Sequence, residues 1–344
     1  MRRIRIGLLL AALSAALLWL SVGQSRGSEI AERGRMKNVE VGELALPASE
    51  SARSVTAPPS VSPTPAPTPE PEAAPPEEAE EPPPEPTPLP DGSIVRPTSI
   101  RGGLSVRNET AYELDVASIL EAGPPLRLPA EGPQILIIHT HASEAYTPAG
   151  IDRYEASDSC RTEDERYNVI RIGDELAAVY EAAGLSVIHD RGVYDYPSYT
   201  GSYGRTAAAI EGYLAEYPEL AAVIDVHRDA LGSDGVVYKI MADESGVVAS
   251  QLMLLCGSDE SGLEHPHWRD NLAFALYLQQ AVDSRYPTLL RPVALVPQRY
   301  NQQLTRGSLI LEVGSSGNTL QEALAAVRLF GEATAGALLA LAED

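Results

Sequence analysis

The sequence predicts an α/β fold, a mostly parallel sheet flanked by helices. Three observations carry this expectation. Short apolar runs recur at Ile135-Leu136-Ile137-Ile138, Ala222-Val223-Ile224 and Leu309-Ile310-Leu311, as in strands buried on both faces. Between them lie segments with apolar residues at helical spacing. The two kinds alternate, which implies right-handed crossovers and parallel pairing.

Each element has its own warrant. Residues 135–139 form the first buried strand. Residues 168–183 place Val169, Ile172, Leu176 and Val179 on one helical face, and Gly184 is a suitable stop. A strand follows at 185–189, then a helix at 204–217 closed by Pro218, then a strand at 222–227. Residues 236–242 and 251–256 read as two strands paired across a Glu-Ser-Gly turn. A long amphipathic helix is expected at 267–286, a strand at 309–313, and an alanine-rich closing helix at 319–342. There is no internal repeat.

The chain of 344 residues divides by composition. Residues 1–26 carry a basic start, Met1-Arg2-Arg3-Ile4-Arg5, and then a run of about 17 apolar residues, near the lower length for a membrane span. This reads as a membrane anchor or signal segment. No clean small-x-small cleavage site follows, which favours an uncleaved anchor. The basic end stays in the cytoplasm and the remainder lies outside. Residues 27–56 are a juxtamembrane segment. Residues 57–93 are rich in Pro and Glu and are expected to be a disordered linker. Extended, such a spacer reaches on the order of 100 Å. Residues 94–132 are an adaptor or the start of the folded domain, and residues 133–344 are the catalytic domain. The formal net charge of -22 argues against a nucleic-acid partner. Only two cysteines, Cys160 and Cys256, are present, so packing and not a disulfide framework holds the core.

The chemistry sits at the strand ends. His139 and His141 close the first strand and, alternating, should share a side. Glu144 follows them. The Ala222 strand ends in Val226-His227-Arg228-Asp229. Two buried strands that each deliver an imidazole at the carboxyl end suit a metal site. Glu312 interrupts an apolar strand, where an ionised carboxylate is costly unless paired or coordinated. It reads either as a catalytic acid–base or as a structural partner for an arginine such as Arg228. His265 and His267 begin a helix and read as exposed or capping residues. There is no Gly-x-Ser-x-Gly elbow and no phosphate-binding Gly-x-x-x-x-Gly-Lys-Ser/Thr loop.

Five strings appear in order: IIHTHASEAYTP, RTEDERYNVIRIGDEL, YPSYTGSYGRT, VIDVHRDALG and LEVGSSGNTLQEAL. Together they resemble the stage II sporulation protein P family, membrane-anchored cell-wall hydrolases of endospore-forming bacteria. The resemblance covers residue 104 onward. It implies a fold similar to zinc-dependent N-acetylmuramoyl-L-alanine amidases, with a His–Glu–His zinc site and a later catalytic Glu. Carried over, His141 and His227 match the two histidine ligands and Glu312 the catalytic glutamate. The middle ligand by offset from Asn168 is Asp164, flanked by Glu163 and Glu165. Glu144 is the rival ligand and otherwise a second catalytic carboxylate. His139 and Arg228 are assigned to substrate binding or to orienting the ligands. The resemblance further implies zinc as cofactor, peptidoglycan as substrate, and stage II sporulation proteins D and M as partners. It implies cleavage of the N-acetylmuramoyl-L-alanine amide, with peptide cross-links as a second substrate, during septal wall remodelling and engulfment. The location would be the cell membrane, with the catalytic domain on the extracytoplasmic side. A membrane-anchored, non-catalytic wall-binding or scaffold module is the alternative.

Overall fold

The computed structural model describes residues 38–40 and 93–342, apart from 102, 159, 234 and 245. The expected anchor and most of the expected linker lie outside these residues. Among the described residues, no helix is long and apolar enough to cross a membrane.

The strands are β1 (Asn38–Glu40), β2 (Ile94–Thr98), β3 (Ser105–Asn108), β4 (Ile135–Ile138), β5 (Val187–His189), β6 (Ala222–Asp229), β7 (Gly232–Ser233), β8 (Val236–Glu244), β9 (Val247–Ser250), β10 (Leu252–Cys256), β11 (Val293–Leu295) and β12 (Gly307–Ser315). The helices are α1 (Val116–Ala122), α2 (Val169–Ala182), α3 (Ser202–Glu216), α4 (Trp268–Asp283) and α5 (Leu320–Leu339). The main sheet runs β1-β3-β11-β10-β12-β6-β4-β5. Its pairs β5·β4, β4·β6, β6·β12, β10·β11 and β11·β3 are parallel, while β10·β12 and β1·β3 are antiparallel. The fold is therefore α/β with a mostly parallel sheet, as the alternating pattern predicts.

One expected pairing is different. Residues 252–256 do not pair with residues 236–242. The hairpin partner of β8 is β9, through Met241↔Ser250 to Glu244↔Val247. β10 instead enters the main sheet between β11 and β12. Its sequence, Leu-Met-Leu-Leu-Cys, is buried almost throughout, the burial of a central strand and not of a hairpin edge. Residues 94–132 also enter the fold: β2 pairs β8 and β3 pairs β11.

Alternation along the strands sorts side chains to two faces. Ile135, Ile137, Ile224, Val226, Leu309 and Leu311 face the larger core, packed by Leu176 of α2, Leu276 of α4 and Phe330 of α5. Leu136, Ile138 and Val223 face the other way, against Ile210 of α3. Each such side chain, fully buried, contributes about 1.5–3 kcal/mol. Asp225, His227 and Glu312 belong to the second face by the same alternation.

The helices start where local chemistry supplies caps. Asn168 caps α2: its Oδ1 accepts from Ile170 N–H at 3.0 Å, while its Nδ2 donates to the Thr162 carbonyl at 3.1 Å. Thr319 and Glu322 form a capping box at the head of α5. His267 precedes α4 without a side-chain cap bond, and His265 is buried, contrary to the exposed position expected for it.

Asn168 is fully buried and has both polar ends in use. Replacing it by Ala is expected to lower unfolding free energy by about 1–3 kcal/mol. Urea denaturation of the two proteins measures the difference.

Candidate functional site

The site forms where β4 and β6 release their carboxyl ends, the usual place for a ligand in an open α/β sheet. β4 ends at Ile138, and the next residues turn. His141 and Glu144 lie on that turn, while His227 is still within β6. His141, Glu144 and His227 are all buried, and one potential ligand atom from each lies within 4.8 Å of the others. His141 Nδ1 is 3.5 Å from Glu144 Oε1, and His227 Nδ1 is 3.4 Å from Glu144 Oε2. The two imidazole rings meet edge to face, 5.0 Å between centroids.

Glu144 is braced from several directions. The backbone N–H of Arg228 donates to Oε2 at 3.1 Å, and Arg161 Nη2 donates to Oε1 at 3.2 Å. The Arg228 guanidinium is itself fixed by the carbonyls of Ala145 and Cys160, at 3.0 and 2.9 Å. Burial opposes ionisation of Glu144, but Arg228 and the two imidazoles outweigh it and hold the carboxyl well below its usual range. Asp225, two residues before His227 on the same face, lies 3.0 Å from His227 Nε2. Thr140 holds Asp225 through its N–H at 2.8 Å and its hydroxyl at 2.6 Å. Burial works against a charge on His227, yet Asp225 and Glu144 raise its pKa well above the ordinary imidazole value.

Glu312 stands beside this group. β12 pairs β6 with Glu312 opposite His227, and the register shifts between Glu312 and Ser315. Gly314 permits that bulge: its φ is +68°, and a Cβ there would meet Ser250 at 3.0 Å. Glu312 Oε2 is shielded and has no hydrogen-bond partner. Burial, with Glu144 and Asp229 adding to it against His227, pushes its pKa up to about 8. Arg228 is thus the partner of Glu144 and not of Glu312.

Other expected positions are placed elsewhere. Asp164 does not belong to the histidine group: its carboxylate pairs with Arg166 at 2.6 Å near the surface. Glu144 occupies the position between the histidines, because the turn after β4 folds it back toward His141. His139 does not share the side of His141. Its ring is fully buried, with Nδ1 3.1 Å from the Val226 carbonyl and Nε2 2.8 Å from His189 Nε2. His189 continues to Asp174 at 3.2 Å. Burial next to His189 lowers the His139 pKa to about 3. Gly173 makes room for this pair, since a Cβ there would lie 2.4 and 2.6 Å from the two Nε2 atoms. His139 and Arg228 are both buried and committed to partners within the protein, next to the segments that carry His227 and Glu144.

Two imidazoles and a carboxylate are zinc chemistry. His141 Nε2 and Glu312 Oε2 are buried polar atoms without partners, as expected of groups arranged for something other than each other. The residues present fit a metal ion on His141, Glu144 and His227, with Glu312 alongside.

A profile of the stage II sporulation protein P (SpoIIP) family matches residues 66–335, more than half of the chain. The chain belongs to the SpoIIP family. Stage II sporulation protein P of Bacillus subtilis (strain 168) is 25% identical over 228 residues, 61% of this chain and 53% of that protein. The chain thus spans about half the length of this curated relative. Two solved structures are similar at low overlap. N-acetylmuramoyl-L-alanine amidase AmiC2 of Nostoc punctiforme has a TM-score of 0.36 and 14% identity, covering 61% of this chain and 98% of that one. The N-acetylmuramyl-L-alanine amidase Ami1 from Mycobacterium smegmatis has a TM-score of 0.36 and 13% identity, covering 60% and 97%.

Several further residues at this site carry little local signal in the sequence. Asp225 had a usable signal, an acidic residue inside an apolar strand and in phase with His227. Arg161, Tyr199 and Tyr203 lie in loops or at a helix start, and nothing local ties them to His141. Yet Tyr199 stacks on the His141 ring at 4.5 Å, and Arg161 sits 5.1 Å from the Tyr199 centroid.

Two outcomes are expected. Glu144→Gln weakens zinc binding beyond the ~10–100-fold typical of losing an outer partner, while Asp164→Asn leaves it intact; metal content after desalting separates them. In the metal-free protein, Glu312 has a raised pKa, so its contribution to stability is present below about pH 4.5 and is lost as pH rises through about 8. Glu312→Gln should flatten that decline by at least about 1 kcal/mol, seen in denaturation midpoints from pH 5 to 8.5.

Proposed function

We propose that this chain is a zinc-dependent peptidoglycan hydrolase, cleaving the amide between N-acetylmuramic acid and L-alanine as the wall is remodelled in endospore formation. One observation carries the reading: a buried His141–Glu144–His227 group with the unpartnered carboxylate of Glu312 on the adjoining strand. Membership of a sporulation family supports the setting.

A zinc ion on the three donors would supply a Lewis acid and a water of lowered pKa. The chain's own residues do the rest. Arg228 and Arg161 keep Glu144 ionised and in place. Asp225 orients His227, and Thr140 orients Asp225. Glu312 accepts the proton of the attacking water and passes it to the leaving amine nitrogen. Its raised pKa makes the carboxyl a strong enough base for the first transfer and a ready donor for the second. Peptide cross-links are amides as well, so the same chemistry extends to them as a second substrate.

The remaining proposals concern placement. The apolar segment within residues 1–26 anchors the chain, and residues 57–93 hold the catalytic domain away from the bilayer on the extracytoplasmic side. Stage II sporulation proteins D and M are the proposed partners, with D cleaving the glycan.

The full chain, incubated with purified peptidoglycan, is expected to release stem peptides with a free L-alanine amine. Chelation should abolish release, and Glu312→Gln should lower kcat about 10²–10⁴-fold. Full activity after zinc removal would overturn the mechanism.

A further inference from the structure

One flank of the metal-binding group has no part in the hydrolytic step. Tyr199 lies against the His141 ring, 26° from parallel, yet it is 56% exposed. Tyr203 meets the same imidazole edge-on at 5.4 Å, and Tyr300 lies 5.5 Å from Tyr203. Tyr196, on the loop before Tyr199, is 49% exposed. Tyr203 and Tyr300 are half-buried, so Tyr199 is the open ring of the cluster, and an exposed ring backed by others beside a reactive group marks a contact surface.

The cluster is held in place. Tyr300 and Asn301 take left-handed φ values of 52° and 61°, strained for residues other than glycine. Asn301 Nδ2 donates to the Tyr203 carbonyl at 2.7 Å, which ties the Tyr300 turn to the head of α3. Asp195 ties the Tyr199 loop to the turn after β4, accepting from Ser143 Oγ at 2.5 Å and Arg161 Nη1 at 2.8 Å. Backbone strain beside a reactive group, paid for by these anchors, fits a preformed binding surface.

We propose that Tyr199, with Tyr203 and Tyr300, forms a saccharide subsite, on which a pyranose ring of the glycan strand stacks next to the scissile amide. This rests on the peptidoglycan reading above and assigns the polarity of the substrate in the site. A flat ring presents an apolar face to the C–H face of a pyranose, and its hydroxyl serves the sugar hydroxyls. The peptide half of the substrate carries carboxylates, which call for available cations. The guanidinium groups on this flank are committed: Arg161 to Glu144 and Asp195, and Arg205 to the carbonyls of Tyr194, Ser198 and Thr200. With its guanidinium groups committed, the tyrosine flank offers ring faces and hydroxyls, which suit the sugar better than the carboxylate-bearing peptide.

The test titrates the full chain, zinc-loaded and metal-free, with peptide-free glycan strands and separately with free stem peptide, by calorimetry. Wild type should bind the glycan. Tyr199→Ala should weaken that binding about tenfold, the loss of one aromatic contact, with zinc content unchanged, and Tyr199→Phe should retain most of it. The proposal is overturned if the glycan does not bind, if Tyr199→Ala binds it equally well, or if Tyr199→Ala loses stem peptide affinity and keeps that for glycan. Glycan binding through Tyr199 without any peptide release would sink the hydrolase reading alone. Peptide release with glycan affinity indifferent to Tyr199 would sink the subsite alone.

Discussion

A buried carboxylate between two imidazoles is the constraint around which this site is built. Glu144 is shielded from water, and its charge is tolerable only because Arg228 and Arg161 hold it. Arg228 is adjacent to His227, so one stretch of β6 supplies both an imidazole of the group and the brace for Glu144. The carbonyls of Ala145 and Cys160 fix the Arg228 guanidinium in turn. These bonds tie the turn after β4 to β6, and together they keep the buried charges of Glu144 and Arg228 partnered.

The sheet makes that arrangement possible. Apart from β1 at the edge, its strands fall into two parallel halves of opposite direction, which meet where β10 runs antiparallel to β12. The β4, β6 and β12 ends lie side by side in one half, and His141, His227 and Glu312 come from these three strands or the turn after one. Glu312 is opposite His227 because β12 is in register with β6, and the bulge at Gly314 ends that register just beyond. His227 and Glu312 thus ride on strands and His141 and Glu144 on the braced turn after β4, while the exposed Tyr199 sits on a loop pinned to that turn.

Beneath the site, Asp174, His189 and His139 form a polar chain that runs inward from the half-exposed Asp174 and ends on the carbonyl of Val226, the residue before His227. It packs against the middle of α2, where Gly173 lacks a side chain. A glycine inside a helix costs about 1 kcal/mol relative to alanine. Here it is needed because the helix crosses directly over two imidazoles. The conflict between helix propensity and sequence is resolved one layer away from the ligands.

Much of this was legible before any coordinates. The apolar runs and helical spacing specified the α/β class, the four longer helices and the central strands, because burial on both faces leaves a compositional trace, but not α1 or the short strands β1, β2, β3, β7, β9 and β11. His141, His227 and Glu312 stood out because polar residues in such strands demand a reason. What the sequence could not decide was which carboxylate reaches between the histidines. Counting from Asn168 pointed to Asp164, and a turn brought Glu144 there in its place. The direction of His139, the insertion of β10 into the main sheet, and the gathering of Tyr199, Tyr203 and Tyr300 around His141 were equally invisible. Local periodicity records which face of an element is buried. Only tertiary packing decides where loops fold and which distant side chains share a space, because those outcomes depend on contacts between residues far apart in the chain.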